Sequence, residues 1–302
     1  MEQKLELNIK KNNKNTKRRP DVISVILSFI LAVLLAVMGY AAGAQIGIFR
    51  SDIITESIDR TGYSEKVYNQ ILADSVELGK PMMIPEEVFQ DVFDLEKVSR
   101  DIKAVYNSRI ANTYTAADTE VIRQRLKDNI NKYAKEQDIE MGEEQNAAVD
   151  EFVSLIEQRY SSGIDIFYIS YYVSFRNMYQ KYFGILIAVI AVLSVLDIVI
   201  TLKRHKRKYR GLRYITYASL AAAIMTGAAP AFLYIQGKYR SLNIKPDYFY
   251  SMIVDVADRS LSVFMYVALF FVIVSAILIA ATVVLRKKYS AGHYKNSASL
   301  NV

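Results

Sequence analysis

Apolar residues gather in four long blocks along the chain, and polar residues fill the segments between them. An α-helix rises about 1.5 Å per residue, so roughly 20 apolar residues cross the hydrocarbon core of a bilayer. Each block approaches or exceeds that length, and the first contains no charged residue. We therefore predict four transmembrane helices, at residues 22–48, 183–202, 214–236 and 262–285, separated by a long segment at 49–182, a short one at 203–213 and a loop at 237–261.

The long segment between the first two blocks has a different pattern. Its apolar residues recur at intervals of three and four, the spacing that places them on one face of a helix, and strand signals are few. We therefore expect an all-α integral membrane protein with a helical bundle between spans 1 and 2. The predicted helices of this bundle begin near Ser64, at Pro85, after Thr115 and after Gly142.

The last part of this segment favours a helix that continues into the second span. After the Ser161–Gly163 run, no helix breaker precedes that span, so residues 164–202 could form one helix bearing an aromatic stripe. Packing in the core and anchoring at the headgroups explain the stripe more simply than coupled motion does. Aromatic residues before the fourth span, Tyr248, Phe249 and Tyr250, are read as part of the same interfacial belt.

Lysine and arginine are concentrated in three short segments that alternate with pairs of predicted spans. Seven basic residues against two acidic ones occur in residues 1–20, seven against none in 203–213, and four against none in 286–302. Residues 51–181 instead carry 15 basic and 24 acidic residues, a net charge of −9. Because Lys and Arg accumulate on the cytoplasmic side, we predict that the three basic segments are cytoplasmic, the first extending to residue 21, and that the acidic segment is extracytoplasmic.

These charges also bear on the partners. The overall net charge of +7 could indicate nucleic-acid binding, but its distribution is explained by topology in a plasma membrane, and we expect no nucleic acid. The lipid bilayer is the first expected partner, and the basic cytoplasmic segments are expected to meet anionic lipid headgroups. The 11-residue segment 203–213 could also dock an acidic partner protein.

The first block could be a cleaved signal peptide or a permanent anchor. Ala42, Gly43 and Ala44 resemble a cleavage site, but the apolar run exceeds the roughly 7–15 residues of a signal core, which favours an anchor. Gly39, Gly43 and Gly47 recur every four residues and therefore share one helix face. Such a face lets another helix approach closely, either a span of this chain or a second copy, although glycine is common in transmembrane helices generally.

Reactive side chains are scarce. The chain has no cysteine, and its two histidines, His205 and His293, both lie in predicted cytoplasmic segments. Histidine–serine hydrolysis, histidine zinc sites and cysteine chemistry are therefore excluded from the predicted outer domain. The cytoplasmic segments are too short for a nucleotide-binding domain, and no glycine-rich phosphate loop occurs. We expect a protein that is not an enzyme and carries no cofactor or metal.

Two features inside the predicted spans are candidates for function. Asp197 is an ionisable residue in the second span, where charge is costly; it could be a proton or ion site, or be hydrated near the cytoplasmic end or paired with Arg204. Pro230, after Gly227, is predicted to kink the third span, because proline removes a helix hydrogen bond. This kink could be a hinge or simply a matter of shape.

The leading hypothesis is a sensor, scaffold or accessory subunit whose outer domain binds an envelope component and couples it to the spans. The apolar loop Met82–Met83–Ile84 is the candidate contact, although Ile84 could instead pack against the following helix. A protein partner or a homo-oligomer is expected. The absence of cysteine is typical of a bacterial envelope protein.

The alternative hypothesis is a small transporter or channel that uses Asp197 and the kinked third span. The order of segments also resembles permease subunits that carry a large outer loop between the first two of four spans and work with a separate ATPase. Those permeases usually have a strand-rich outer domain, which this sequence does not predict. A likeness of layout is weak support for function.

Overall fold

The computed structural model describes residues 21–113, 115–166 and 168–298, with side chains as far as Tyr289. The protein is 85% helical, and the described residues contain no strand. Most of the predicted N-terminal segment 1–21 and the last residues of the predicted tail lie outside the described residues. In chain order the α-helices are α1 (Val22–Gly43), α2 (Ile53–Arg60), α3 (Tyr63–Gly79), α4 (Leu95–Ile110), α5 (Glu120–Glu136), α6 (Glu143–Ile164), α7 (Ile169–Arg204), α8 (Lys208–Gln236) and α9 (Asp247–Ala298).

Four helical segments are long and apolar enough to cross a membrane, which confirms the prediction of four helices of spanning length. The first consists of α1 and a π-helical turn, Ala44–Ile48, that continues it. Its bounds match the prediction because polar or charged residues flank a charge-free apolar run. The other three extend beyond the predicted blocks, and they are Ile169–Arg204, Lys208–Ser241 and Asp247–Tyr289.

The connection between α7 and α8 is shorter than the predicted loop 203–213. Helix α7 ends at Arg204 and α8 begins at Lys208, so three residues join them. Gly211 allows this tight hairpin: a Cβ atom there would lie 3.0 Å from the carbonyl oxygen of Thr201 and 3.3 Å from Cα of Leu202. The basic residues of this segment therefore lie mostly on helix ends rather than in a free loop.

The chain divides into two compact units. Of the described residues, the first unit comprises 21–40, Ile187–Ala228 and 266–298. Small and apolar side chains pack its interior, where a serine hydroxyl also bonds across helices: Ser28 Oγ donates to the carbonyl oxygen of Tyr214 at 2.8 Å. The buried residues of its two clusters are Leu31, Ala32, Ile215 and Ala218, and Ala36, Ala222, Ala223 and Phe271.

The second unit comprises Ala41–Leu186 and Ala229–Met265. Its helices enclose one extensive apolar core, in which α3 packs against α4 and α6, and α6 also packs against α5. Gly163 permits one of these approaches, because a Cβ atom there would lie 2.8 Å from Cγ1 of Ile71. Fully buried members of the core include Val98, Ile102, Leu126, Ile156 and Tyr160.

The predicted second helix of the bundle is interrupted. Glu86–Phe89 forms a 3-10 turn, Asp91 takes a left-handed conformation with φ of 60°, and α4 begins only at Leu95. The carboxylate of Asp94 caps α4 by accepting a hydrogen bond from the backbone N–H of Glu96 at 3.0 Å. The prediction of a single helix from Pro85 was wrong because the apolar spacing continues across the break.

The break before the second span also lies elsewhere than predicted. Helix α6 runs through Ser161–Gly163 to Ile164, the chain bends at Asp165, and Tyr168 lies in a turn with φ of 62°. The helix bearing the second span therefore begins at Ile169, later than the predicted residue 164.

Helix α9 begins at Asp247, within the predicted loop 237–261. Phe249 and Met252 are 8% and 1% exposed and belong to the core of the second unit, so the assignment of Phe249 to an interfacial belt was wrong. A short helix, α2, was not predicted at all, although Ile53, Ile54 and Ile58 fill the same core.

Candidate functional site

The turn at residues 48–52, here called the junction segment, links the π-helical turn to α2 and is held by side chains from two other helices. The hydroxyl of Tyr172 donates to the carbonyl oxygen of Ile48 at 2.9 Å, and Nε of Arg176 donates to that of Phe49 at 3.1 Å, both from α7. From α4, the hydroxyl of Tyr106 donates to the carbonyl oxygen of Ser51 at 2.9 Å. Burial raises the pKa of Tyr106, so its hydroxyl keeps the proton that this bond requires.

The ring of Phe49 adds an aromatic contact to this anchorage. It stacks on the ring of Tyr179 with 4.6 Å between centroids, and the hydroxyl of Tyr179 donates to the carbonyl oxygen of Ala41 at 2.5 Å. The aromatic stripe of α7 thus contacts the end of the first span and the junction segment. The three backbone carbonyls that accept hydrogen bonds from Tyr106, Tyr172 and Arg176 belong to a turn, which has no regular hydrogen-bond pattern of its own to satisfy them.

A charged cluster lies beside the junction segment. Glu56 of α2 accepts hydrogen bonds from both Arg50 and Arg259, the latter near the middle of the polar start of α9. Asp255 accepts from Ser57 Oγ at 2.6 Å and lies 3.4 Å from Nε of Arg60. These pairs bind α2 to α9 with both signs of charge represented. The cluster attaches α2 to α9 through these pairs, while Arg50 Nε and Arg259 Nη1 are buried without a hydrogen-bond partner among the described residues.

Glu157 is the most buried acid of the predicted outer domain, and both of its carboxylate oxygens accept hydrogen bonds. It is 8% exposed and accepts bonds from Arg123 Nη2 at 2.8 Å and Thr119 Oγ1 at 2.7 Å. Burial alone would raise the pKa of Glu157, but the bonds from Arg123 and Thr119 outweigh it and hold the pKa below its usual value. Glu157 is therefore an ionised, stabilising group that joins α5 to α6.

Asp197 is buried in the first unit, at 6% exposure. Its Oδ1 accepts from Thr201 Oγ1 at 3.3 Å, one turn further along α7. Arg204 does not pair with it, contrary to one prediction, because its Nε donates to Oδ2 of Asp21 at 3.0 Å. Arg204 thereby lowers the pKa of Asp21.

The three glycines of the predicted packing face each lie against side chains of this chain. In the first unit, a Cβ atom on Gly39 would lie 2.8 Å from both Phe271 Cε2 and Thr226 Oγ1. In the second unit, a Cβ on Gly43 would overlap the ring of Phe264, and one on Gly47 would lie 3.3 Å from Cα of Ser260. Each position thus faces α9, and Gly39 also faces α8.

The two predicted hinge residues differ in their surroundings. A Cβ atom on Gly227 would lie 2.7 Å from that of Ala268, so this glycine permits close contact between α8 and α9. Pro230 is buried, and α8 continues through it to Gln236.

The three residues of the candidate contact loop differ in their exposure to solvent. Met83 is 86% exposed with φ of 55°, and Met82 is 41% exposed. Ile84 instead packs against the core of the second unit, which leaves the two methionines as the exposed patch. The junction residues Tyr106, Arg176 and Glu56 were not predicted. Tyr106 and Arg176 donate to backbone carbonyls, which any residue could supply, and Glu56 accepts from Arg259, which is distant in sequence.

The residues that the structure describes contain no group of three or more histidine, cysteine or acidic side chains placed to hold a metal ion. In comparisons with known proteins, no family model, no curated protein and no solved structure matches this chain.

Proposed function

We propose that the chain is a multi-pass protein of a bacterial plasma membrane, with cytoplasmic termini and the helical domain 49–182 outside. Apolar side chains that face outward on the four long helices support insertion, because a lipid-facing surface needs no polar cover. Examples are Val22 at 67% exposure, Ile277 at 63% and Ile235 at 83%. The alternation along the sequence of basic segments with one acidic segment supports the orientation.

Its proposed role is that of a non-enzymatic sensor, scaffold or accessory subunit. The outer domain binds an envelope component, and the bound state passes to the spans. The anchored junction segment is the observation that carries this proposal: α4 and α7 hold its carbonyls, and α2 is tied to α9 through Glu56. A domain fixed to helix ends at several points cannot tilt without moving those ends, which is the requirement for coupling.

Met82 and Met83 form the proposed contact with the partner. Both are exposed, and flexible thioethers adapt to varied apolar surfaces. A photoreactive amino acid placed at Met83 in living cells should give one discrete adduct, and placement at Ile139, which is 50% exposed in another loop, should give none. An adduct twice the mass of the chain would identify a second copy as the partner. Equal adducts at both sites, or none at Met83, would remove the contact.

Coupling is tested separately from binding, in a strain that lacks the chromosomal gene. The double variant Tyr172→Phe with Arg176→Gln removes two anchors of the junction segment without touching the methionines. We expect this variant to keep the Met83 adduct but to fail to restore the phenotype of the strain. Met82→Ser with Met83→Ser should also fail to restore the phenotype, and Ile84 is kept because it packs in the core. If the junction variant restored the phenotype fully, the protein would act as a scaffold without coupling its outer domain to the spans.

A second candidate function is a small transporter or channel, or a permease subunit working with a separate ATPase. The burial of Asp197 inside a candidate span favours it, since a buried carboxyl bonded to one threonine can exchange a proton or ion. Asp197→Asn should abolish flux in vesicles at normal expression. Flux equal to that of the unaltered protein would remove this candidate.

A further inference from the structure

A groove in the first unit combines a basic end with an apolar interior. It has a volume of about 1160 Å³ and is bounded by α1, the first half of α8 and the later part of α9. Its basic residues are His205, Arg210, Arg213 and Arg286, all next to the short connection between α7 and α8 or near the end of the apolar run of α9. Its apolar residues include Phe29, Ala32, Met225, Ile279 and Val283.

The positive charge of the groove is not neutralised from within. Among the described residues, no ion pair involves Arg210, Arg213 or Arg286. One lining residue, Asp21, carries a carboxylate, and Arg204 already binds it at 3.0 Å. Nη2 of Arg213 donates to the hydroxyl of Tyr217 at 2.9 Å, which directs that guanidinium along α8. The basic end therefore has an excess of three arginines, the side chains best suited to binding phosphate oxygens.

The interior is apolar even where hydroxyl groups line it. Ser28 Oγ donates to the carbonyl oxygen of Tyr214 at 2.8 Å, Thr216 Oγ1 to that of Leu212 at 2.9 Å, and Thr282 Oγ1 to that of Leu278 at 2.8 Å. With these protons bound to helix carbonyls, the serine and the two threonines offer no free donor to the groove, and the apolar side chains beside them offer hydrocarbon contacts. Such a lining does not suit a fully hydrated anion.

The dimensions of the groove match one leaflet of a bilayer. Arg213 and Met225 are 12 residues apart on α8, which corresponds to about 18 Å of helix. Half of the hydrocarbon core is about 15 Å thick. An arginine at headgroup level thus places Met225 near the depth that the end of an acyl chain reaches.

We propose that this groove binds one anionic glycerophospholipid of the cytoplasmic leaflet. Arg210, Arg213 and Arg286 hold its phosphate, while an acyl chain lies against Phe29, Met225 and Ile279. The three arginines favour a headgroup of net negative charge over a zwitterionic one, because they repel the ammonium group that a zwitterionic headgroup carries. This inference rests on the proposed insertion in the membrane, but not on the proposed partner of the outer domain.

Native mass spectrometry of the full-length protein, extracted in mild detergent with equal phosphatidylglycerol and phosphatidylcholine, tests the proposal. We expect one phosphatidylglycerol per chain to be retained. Arg213→Gln with Arg286→Gln should lower that retention at least about tenfold. The control, Lys203→Gln with Lys206→Gln, makes the same charge change at exposed residues that do not line the groove, and it should change retention less than twofold.

Ile279→Trp supplies a second arm, because it fills the apolar part without altering charge and should also reduce retention. Size-exclusion profiles identify variants that fail to fold, and Arg286→Gln alone then replaces the double variant. Equal losses in groove and control variants would show diffuse attraction and overturn the site. Equal retention of phosphatidylglycerol and phosphatidylcholine would also overturn the site. Displacement of the lipid by millimolar inorganic phosphate would overturn it as well, because the groove would then be a phosphate site. Failure here with the Met83 adduct intact would leave the proposed function standing.

Discussion

The contact between Gly43 and Phe264 provides a quantitative test of how the first span packs. Gly43 has ordinary helical angles, φ of −61° and ψ of −41°, so alanine there meets no backbone strain. The added Cβ would overlap Cδ1 and Cε1 of Phe264 and lie 3.2 Å from Cγ. Cγ is the base of the ring, so the clash cannot be relieved by rotating only the tip of a flexible chain. The ring, 9% exposed, must move as a body.

The magnitude follows from two opposing effects. Overpacking a closely packed interior costs about 1–3 kcal/mol, whereas replacing glycine by alanine inside a helix gains up to about 1 kcal/mol. Gly43→Ala should therefore destabilise the protein by about 1–2 kcal/mol. Gly184→Ala is the matched control, because a Cβ atom there meets nothing within 4 Å, and it should gain about 0.5–1 kcal/mol.

Thermal unfolding of the purified protein in detergent measures this difference. At roughly 2–3 °C per kcal/mol for a chain of this size, the two alanine variants should differ in Tm by about 5 °C, with Gly43→Ala below the unaltered protein. In a Phe264→Leu background the same change at Gly43 should become neutral or stabilising. A rise in Tm for Gly43→Ala equal to that of Gly184→Ala would refute the packing of this glycine against α9.

Two further predictions concern the helical domain. Glu157→Gln should lower stability by about 1–2 kcal/mol at pH 7, because the ionised carboxylate accepts bonds from partly exposed Arg123 and from Thr119. Since the folded pKa of Glu157 lies below that of the unfolded chain, this contribution is complete above the usual glutamate pKa of about 4.3 and is lost as pH falls through the folded value, so the Tm difference should shrink below about pH 4. Phe152→Ala should cost about 3–5 kcal/mol, because the ring is 2% exposed and packs edge-on against Phe89; a loss under 1 kcal/mol in chemical unfolding would contradict a well-packed core.

The ease of prediction differed between helix centres and helix ends. The first candidate span, Val22–Ile48, has the predicted bounds because Asp21 and Arg50 bracket a charge-free apolar run. Helices α7 and α9 begin before their apolar blocks, at Ile169 and Asp247, and hydropathy cannot detect a helix that continues through polar residues. The break before Leu95 was missed because apolar spacing alone does not register a left-handed residue or an N-cap.

Long-range pairs were beyond prediction for a different reason. Arg204 pairs with Asp21 across 183 residues of sequence, and a local partner, Asp197, was the only one that helix spacing could suggest. The junction contacts are of the same kind, since Tyr172 and Tyr106 bind backbone carbonyls that any residue could supply. The basic groove could not be predicted because its lining residues come mainly from three helices, α1, α8 and α9, and are far apart in the sequence.

Single-cysteine labelling tests the proposed topology most directly, because the chain has no cysteine of its own. Ile139→Cys places a thiol in the helical domain, and Lys206→Cys places one in the connection between α7 and α8. Cells expressing each variant are treated with a membrane-impermeant maleimide before and after lysis. We predict that the thiol at position 139 reacts in intact cells and that the thiol at position 206 reacts only after lysis. Labelling of position 206 in intact cells, with position 139 protected, would contradict the account.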